Sequence, residues 1–141
     1  MNPTLSDVLT AHDVDVLDHL DRQAAVPLVD FGRQGDVLVT PQRLAPLAGT
    51  ASTPVPPEGI AVVRGENGGN THLLVADGPV LFDPVDARIA ARSLRLGTLD
   101  VPDGAVAFLI HPEHGAIGFT PGRYTISRQR EQREFVEFIE D

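Results

Sequence analysis

The sequence contains no cysteine and no lysine, so all 11 of its basic residues are arginine. Without cysteine there is no disulfide framework, no thiolate-bound zinc and no thiol nucleophile. Any metal must then be held by histidine and carboxylate groups. The missing lysine follows either from a GC-rich coding sequence or from a preference for planar, bidentate contacts. Positive charge is scarce overall: the formal net charge is -9 and the sequence pI about 4.8. Such a balance argues against nonspecific nucleic-acid binding, because neutralising phosphates requires a basic surface. Long apolar runs are missing as well. The longest, Ala105 to Ile110, falls far short of the ~20 residues that a membrane-spanning helix needs. The acidic N-terminus has neither the basic nor the apolar region of a signal peptide, so the expectation is a soluble, unexported, cytoplasmic protein.

At 141 residues the chain is expected to be one domain, long enough to bury roughly two thirds of its unfolded surface without disulfides or metal. Its opening is a helix candidate. Leu5, Val8, Leu9, His12, Val16, Leu17 and Leu20 recur at helical spacing, with Thr4 or Ser6 available as the cap. Asp7, Asp15, Asp18 and Asp21 make the other face an acidic stripe, either a solvated face or a docking surface for a basic partner. Residues 1–24 are therefore read as an acidic helix ahead of a β-rich domain over 25–141.

Within that domain, Val26–Phe31 and Asp36–Thr40 flank Gly32-Arg33-Gln34-Gly35 and predict a hairpin. Residues 41–59 hold Pro41, Pro46, Pro54, Pro56 and Pro57, which sustain neither a helix nor a ladder. A loop of that length is long for a compact domain, which suggests a lid or a join. Ile60–Arg64 and Thr71–Ala76 predict a glycine-rich hairpin. Its Gly65, Gly68 and Gly69 lack the Gly-Lys-Ser/Thr ending of a phosphate loop. Asp77-Gly78 predicts a tight hairpin into Val80–Phe82. Propensity leaves Asp86–Arg95 open between helix and strand, while Leu96–Val101 is expected to be extended. The end of the chain, Arg128–Asp141, is read as a loop and a final strand over Phe135–Ile139.

The stretch from Ala105 to Arg130 is central. Ala105–Ile110 is apolar at every position, which suits a strand buried on both faces. Pro112 keeps His111 extended and, with Gly115, frames a turn that displays Glu113 and His114. Ala116–Phe119, a Pro121-Gly122 turn and Arg123–Arg130 would complete a β-meander, with Tyr124, Ile126, Arg128 and Arg130 on one face. The expected fold is mainly β, a small antiparallel barrel or sandwich with a meander core and one N-terminal helix.

His72, His111, His114 and Glu113 together offer nitrogen and oxygen ligands suited to a divalent transition metal. The bland alternative is a set of histidines that hydrogen-bond the backbone at a turn or between strands. Glu66 and Glu113 are a candidate carboxylate pair. Arg123, Arg128, Arg130 and Arg133 either grip an anionic ligand or pair with the chain's own carboxylates. No serine lies in a nucleophile elbow.

Gly65, Glu66, Gly69 and His72 form a Gly-Glu-rich segment ending in histidine, followed by His111, Glu113, His114 and Gly115. Pro121, Gly122 and Tyr124 come next, and then Arg128, Gln129, Arg130 and Glu131. In this order they resemble a group of small, uncharacterised bacterial proteins also found in phage-related contexts. The likeness covers the C-terminal two thirds. Asn70 departs from it, standing where the group has the first histidine of a His-x-His pair. The resemblance implies a shared fold and a shared polar cluster, and no activity.

The reading that follows is a noncatalytic binding or assembly module. Its contact surfaces are the His/Glu turn cluster and the acidic helix, with Glu66, Asn70, Tyr124, Arg128 and Arg130 as binding residues. Its target would be a protein partner or a second copy of the chain. The competing class is a cupin-like metal-dependent enzyme built on His72, His111 and His114, although the cupin His-x-His pair is not intact here. Uncovered sheet edges offer a route to self-association.

Overall fold

Thr4 and Asp7 start the helix by capping each other. The Asp7 amide donates to Thr4 Oγ1 at 3.1 Å, and the Thr4 amide donates to Asp7 Oδ2 at 2.9 Å. Two further free amides of the first turn, those of Leu5 and Ser6, donate to the carbonyls of Ala24 and Arg22. The computed structural model describes residues 2–12, 22–44, 50–63, 71–86 and 94–128. Within these, α1 spans Leu5–His12. The rest of the helix expected to Leu20 lies outside the described residues, as do Asp15, Asp18, Asp21 and the final strand expected over 135–139.

Among the described residues ten strands follow: β1 (Leu28–Val29), β2 (Gly32–Gln34), β3 (Val37–Pro41), β4 (Ile60–Val63), β5 (His72–Asp77), β6 (Leu81–Pro84), β7 (Arg95–Val101), β8 (Val106–His111), β9 (Gly115–Phe119) and β10 (Gly122–Arg128). They form two five-stranded sheets. The first has the order β1-β9-β8-β5-β4, the second β2-β3-β10-β7-β6. Every pairing is antiparallel except β1 with β9. The sheets face each other as a sandwich and do not close into a barrel. Among the described residues no helix is long and apolar enough to cross a membrane.

The period-two alternation of each strand explains the layering. Val37 and Val39, Leu99 and Val101, and Tyr124 and Ile126 point inward from the second sheet, and meet Leu74, Ala107, Leu109 and Phe119 of the first. Each fully buried aliphatic or aromatic side chain contributes about 1.5–3 kcal/mol. Phe108, Ile110 and Val75 point the other way and pack under Leu5, Val8 and Leu9 of α1. That is why β8 is apolar at every position: one face meets the opposite sheet and the other meets the helix.

Three turns differ from the sequence reading. The first hairpin turns at Gly35-Asp36, not over Gly32–Gly35, and joins β2 to β3 with Gln34 opposite Val37. Gly32 instead belongs to β2, paired with Val39, where a β-carbon would sit 2.8 Å from Ile117 Cδ1 and 3.2 Å from the Phe119 ring. The Asp77-Gly78 turn makes no hairpin. It carries the chain from β5 in the first sheet to β6 in the second, since β5 already has β4 and β8 on its two edges. Pro121-Gly122 likewise crosses between sheets, so the expected meander stops after β8 and β9, and β10 fills the centre of the other sheet between β3 and β7.

The proline-rich stretch also has a structural task. Phe82 donates its amide to Thr53, Val55 donates to Val80, and the Asp83 carboxylate accepts the Ser52 and Thr53 amides. Residues 52–55 therefore cover the outer edge of β6, which would otherwise stand open to another chain.

Gly97 lies under the Phe82 ring. A β-carbon there would overlap Phe82 Cζ and come within 2.8 Å of the Asp83 carbonyl, in a place where Phe82 is 1% exposed. Gly97→Ala is expected to cost about 1–3 kcal/mol through overpacking, measured as a lowered midpoint in denaturant titration. An unchanged midpoint would show that the Phe82 ring has room to retreat.

Candidate functional site

Antiparallel register brings His72 to His111. Leu73 pairs with Ile110 and Leu74 with Leu109, so one further step puts the two histidines side by side on the inner face of the first sheet. The turn after β8 then folds His114 back over His111. The result is a row of three imidazoles, with ring centroids 4.4 Å apart from His72 to His111 and 4.4 Å from His111 to His114. His72 and His111 are each 3% exposed, while His114 is exposed at the turn tip.

The nitrogens of the two buried rings have defined partners. His111 Nδ1 accepts the backbone amides of Glu113 at 3.0 Å and His114 at 3.2 Å, so its hydrogen resides on Nε2 and the ring holds the Pro112 turn in shape. His72 Nδ1 lies 3.0 Å from Gln34 Oε1. Gln34 is itself buried, and its Nε2 donates to the carbonyls of Leu109 at 2.9 Å and Gly115 at 3.1 Å. Both amide hydrogens are thus committed to acceptors, Oε1 is left as an acceptor, and His72 Nδ1 is the donor to it. Gln34 reaches from the second sheet to the first and ties both to the histidine row.

The Gly35-Asp36 turn closes over this row. Gly35 has φ +59°, and a β-carbon there would lie 3.2 Å from His114 Nε2 and 3.4 Å from His72 Cε1. Only glycine allows both the left-handed backbone and that approach. Asp36 Oδ1 stands 3.6 Å from His72 Nε2, and Asp36 Oδ2 is 3.5 Å from an Arg128 nitrogen. Asp36 and Gln34 were not singled out from the sequence. The signal available was the Gly-Asp pair beside a polar residue in a strand position, which matters only once β2 is known to face β5 and β8.

The residues expected to make the site thus divide. His72, His111 and His114 come together, Glu113 stands exposed on the same turn, and Arg128 arrives through Asp36. Tyr124 does not join them. It is 1% exposed in the core, its hydroxyl donates to Thr120 at 2.6 Å, its ring meets Phe119 edge-on, and burial pushes its phenol up. Arg123 pairs with Asp100 at 3.4 Å on the surface. Glu66, Asn70, Arg130 and Arg133 lie outside the described residues. Among the described residues no group of three or more His, Asp or Glu is placed to hold a metal ion.

Burial holds the His72 imidazole down, at about 4, with charge on His111 acting in the same direction and Asp36 opposing it. Burial lowers His111 too, followed by its neighbour His114. An unfolded histidine takes up a proton near pH 6.5, whereas folded His72 refuses it until about pH 4. Stability should therefore fall as pH drops from 6.5 towards 4, by up to about 3 kcal/mol from this group. In chelator-treated protein, His72→Asn keeps a donor for Gln34 and removes the titration. Its denaturation midpoint should vary less with pH than the wild type's over that window. Gln34→Leu should cost about 2–4 kcal/mol at pH 7, because it strands two carbonyls and an imidazole N–H.

No curated protein and no solved structure matches the chain. The family model described as Domain of unknown function (DUF8820) matches residues 33–129, a span that begins in β2 and holds the whole histidine row together with Gln34, Asp36 and Arg128. The chain belongs to that family.

Proposed function

We propose that the chain is a noncatalytic binding or assembly module, and that it meets a protein partner or a second copy of itself through the histidine end of the sandwich. One observation carries this reading: the two buried imidazoles spend their Nδ1 atoms on scaffolding, His111 on the amides of its own turn and His72 on Gln34. What they support is a pair of adjoining turns that present Asp36, Glu113 and His114 to solvent, with Arg128 beside them. A mixed-charge, rigidly backed surface of this kind suits recognition, because side chains already held in place lose little entropy on binding. The Asp36–Arg128 pair is half exposed and adds little to stability, so it is available for exchange with a partner's charges.

The acidic helix is the second contact surface of this reading: Asp7 of α1 is exposed and caps with Thr4, while Leu5, Val8 and Leu9 on the opposite side face the sheet. The module is assigned to the bacterial cytoplasm on its resemblance to bacterial proteins and its cysteine-free composition.

A photocrosslinking residue at position 113, compared with one at the exposed position 58 in a different loop, tests the reading in cells that make the protein. A discrete adduct from position 113 alone is expected. Equal labelling from both positions, or none from position 113, would count against a contact surface at this end.

A further inference from the structure

The bonds of Gln34 settle more than the packing of His72. Because both hydrogens of its amide go to Leu109 and Gly115, Oε1 receives the hydrogen on His72 Nδ1. A neutral imidazole has only one, so Nε2 of His72 presents a lone pair. It faces Asp36 Oδ1, itself an acceptor, at 3.6 Å. Two lone pairs turned towards each other repel, unless something positive lies between them. His72 is 3% exposed and the Asp36 side chain about half exposed, so water reaches the pair from the Asp36 side only.

The spacing suits a shared ion. Two ligand arms of ~2.1 Å meeting at a tetrahedral angle end about 3.4 Å apart, close to the separation seen here. Imidazole nitrogen together with carboxylate oxygen favours zinc, cobalt, nickel or copper over calcium or magnesium, which prefer oxygen alone.

We propose that His72 Nε2 and Asp36 Oδ1 form a two-pronged seat for a divalent transition-metal ion, with solvent completing its coordination. The ligand set differs from the one the sequence suggests. His111 drops out because its Nδ1 holds two backbone amides, and Asp36 takes the place of Glu113. No three His, Asp or Glu side chains are placed to hold one ion among the described residues, so this is an open seat and not a closed cage. Its position gives the ion a task, since Asp36 lies on the turn between β2 and β3 of the second sheet and His72 on β5 of the first. A bound ion joins the two layers where Gln34 already spans them, and fixes the turn that the binding surface uses. Arg128 opposes it, placing a guanidinium nitrogen 3.5 Å from the other oxygen of Asp36. The seat is therefore one that loads and unloads with metal supply.

Tag-free protein stripped with chelator and titrated with Zn2+ or Co2+ at pH 7 by calorimetry tests this. One saturable site is expected, with a Tm that rises on loading. Asp36→Asn, an exposed turn substitution that leaves the core alone, should weaken binding about tenfold or more, and His72→Asn should do the same. Arg128→Gln should tighten it. Circular dichroism verifies that each variant is folded. Absence of saturable binding by the folded wild type, or binding undiminished in Asp36→Asn, overturns the proposal.

Discussion

One side-chain amide connects the parts of this molecule that matter most for its site. Gln34 extends from a three-residue strand of the second sheet to two carbonyls and one imidazole of the first. A buried amide that leaves a donor or acceptor unpaired is costly, so each partner constrains the other two, and the network has one arrangement that satisfies all of them. The turn at Gly35-Asp36, the tautomer of His72 and the closeness of the two sheets at this end all follow from that arrangement. A leucine of similar size would fill the space and specify none of it.

Around this point the sandwich solves two problems of a chain without disulfides. Its core is assembled from both sheets, so the buried area does not depend on any local cross-link. Its first sheet is covered on the outside by α1, which lets β8 be apolar on both faces without exposing either. The short β1 and β2 and the covered margin of β6 limit the open edges that could recruit other chains. The histidine row then runs from the inner face of the first sheet out onto the turn after β8, which is why two of its rings are buried and the third is in solvent.

Much of the local structure was legible in the sequence. The strand over residues 105–110 with two buried faces, the Pro112 turn displaying Glu113 and His114, and the Thr4 cap each rest on interactions between near neighbours. The turns read as hairpins at Asp77-Gly78 and Pro121-Gly122 were not. A Gly-containing turn reverses the chain in the same way whether its next strand pairs with the last or crosses to the facing sheet. That choice belongs to the edges already taken, and no local residue records it.

The sequence by itself determined that the chain would be β-rich, that His72, His111 and His114 would stand at turns and strand ends, and that only histidine and carboxylate could serve as metal ligands, because composition and period-two alternation act within a few residues. Tertiary structure alone decided that Gln34, 38 positions from the His72 it meets and 81 from the Gly115 carbonyl it holds, would complete the cluster together with Asp36. Antiparallel register aligned His72 with His111, and packing of one sheet on the other brought the β2–β3 turn over both. Contacts of that range are set by the pairing of whole strands, and no pattern within a single segment encodes them.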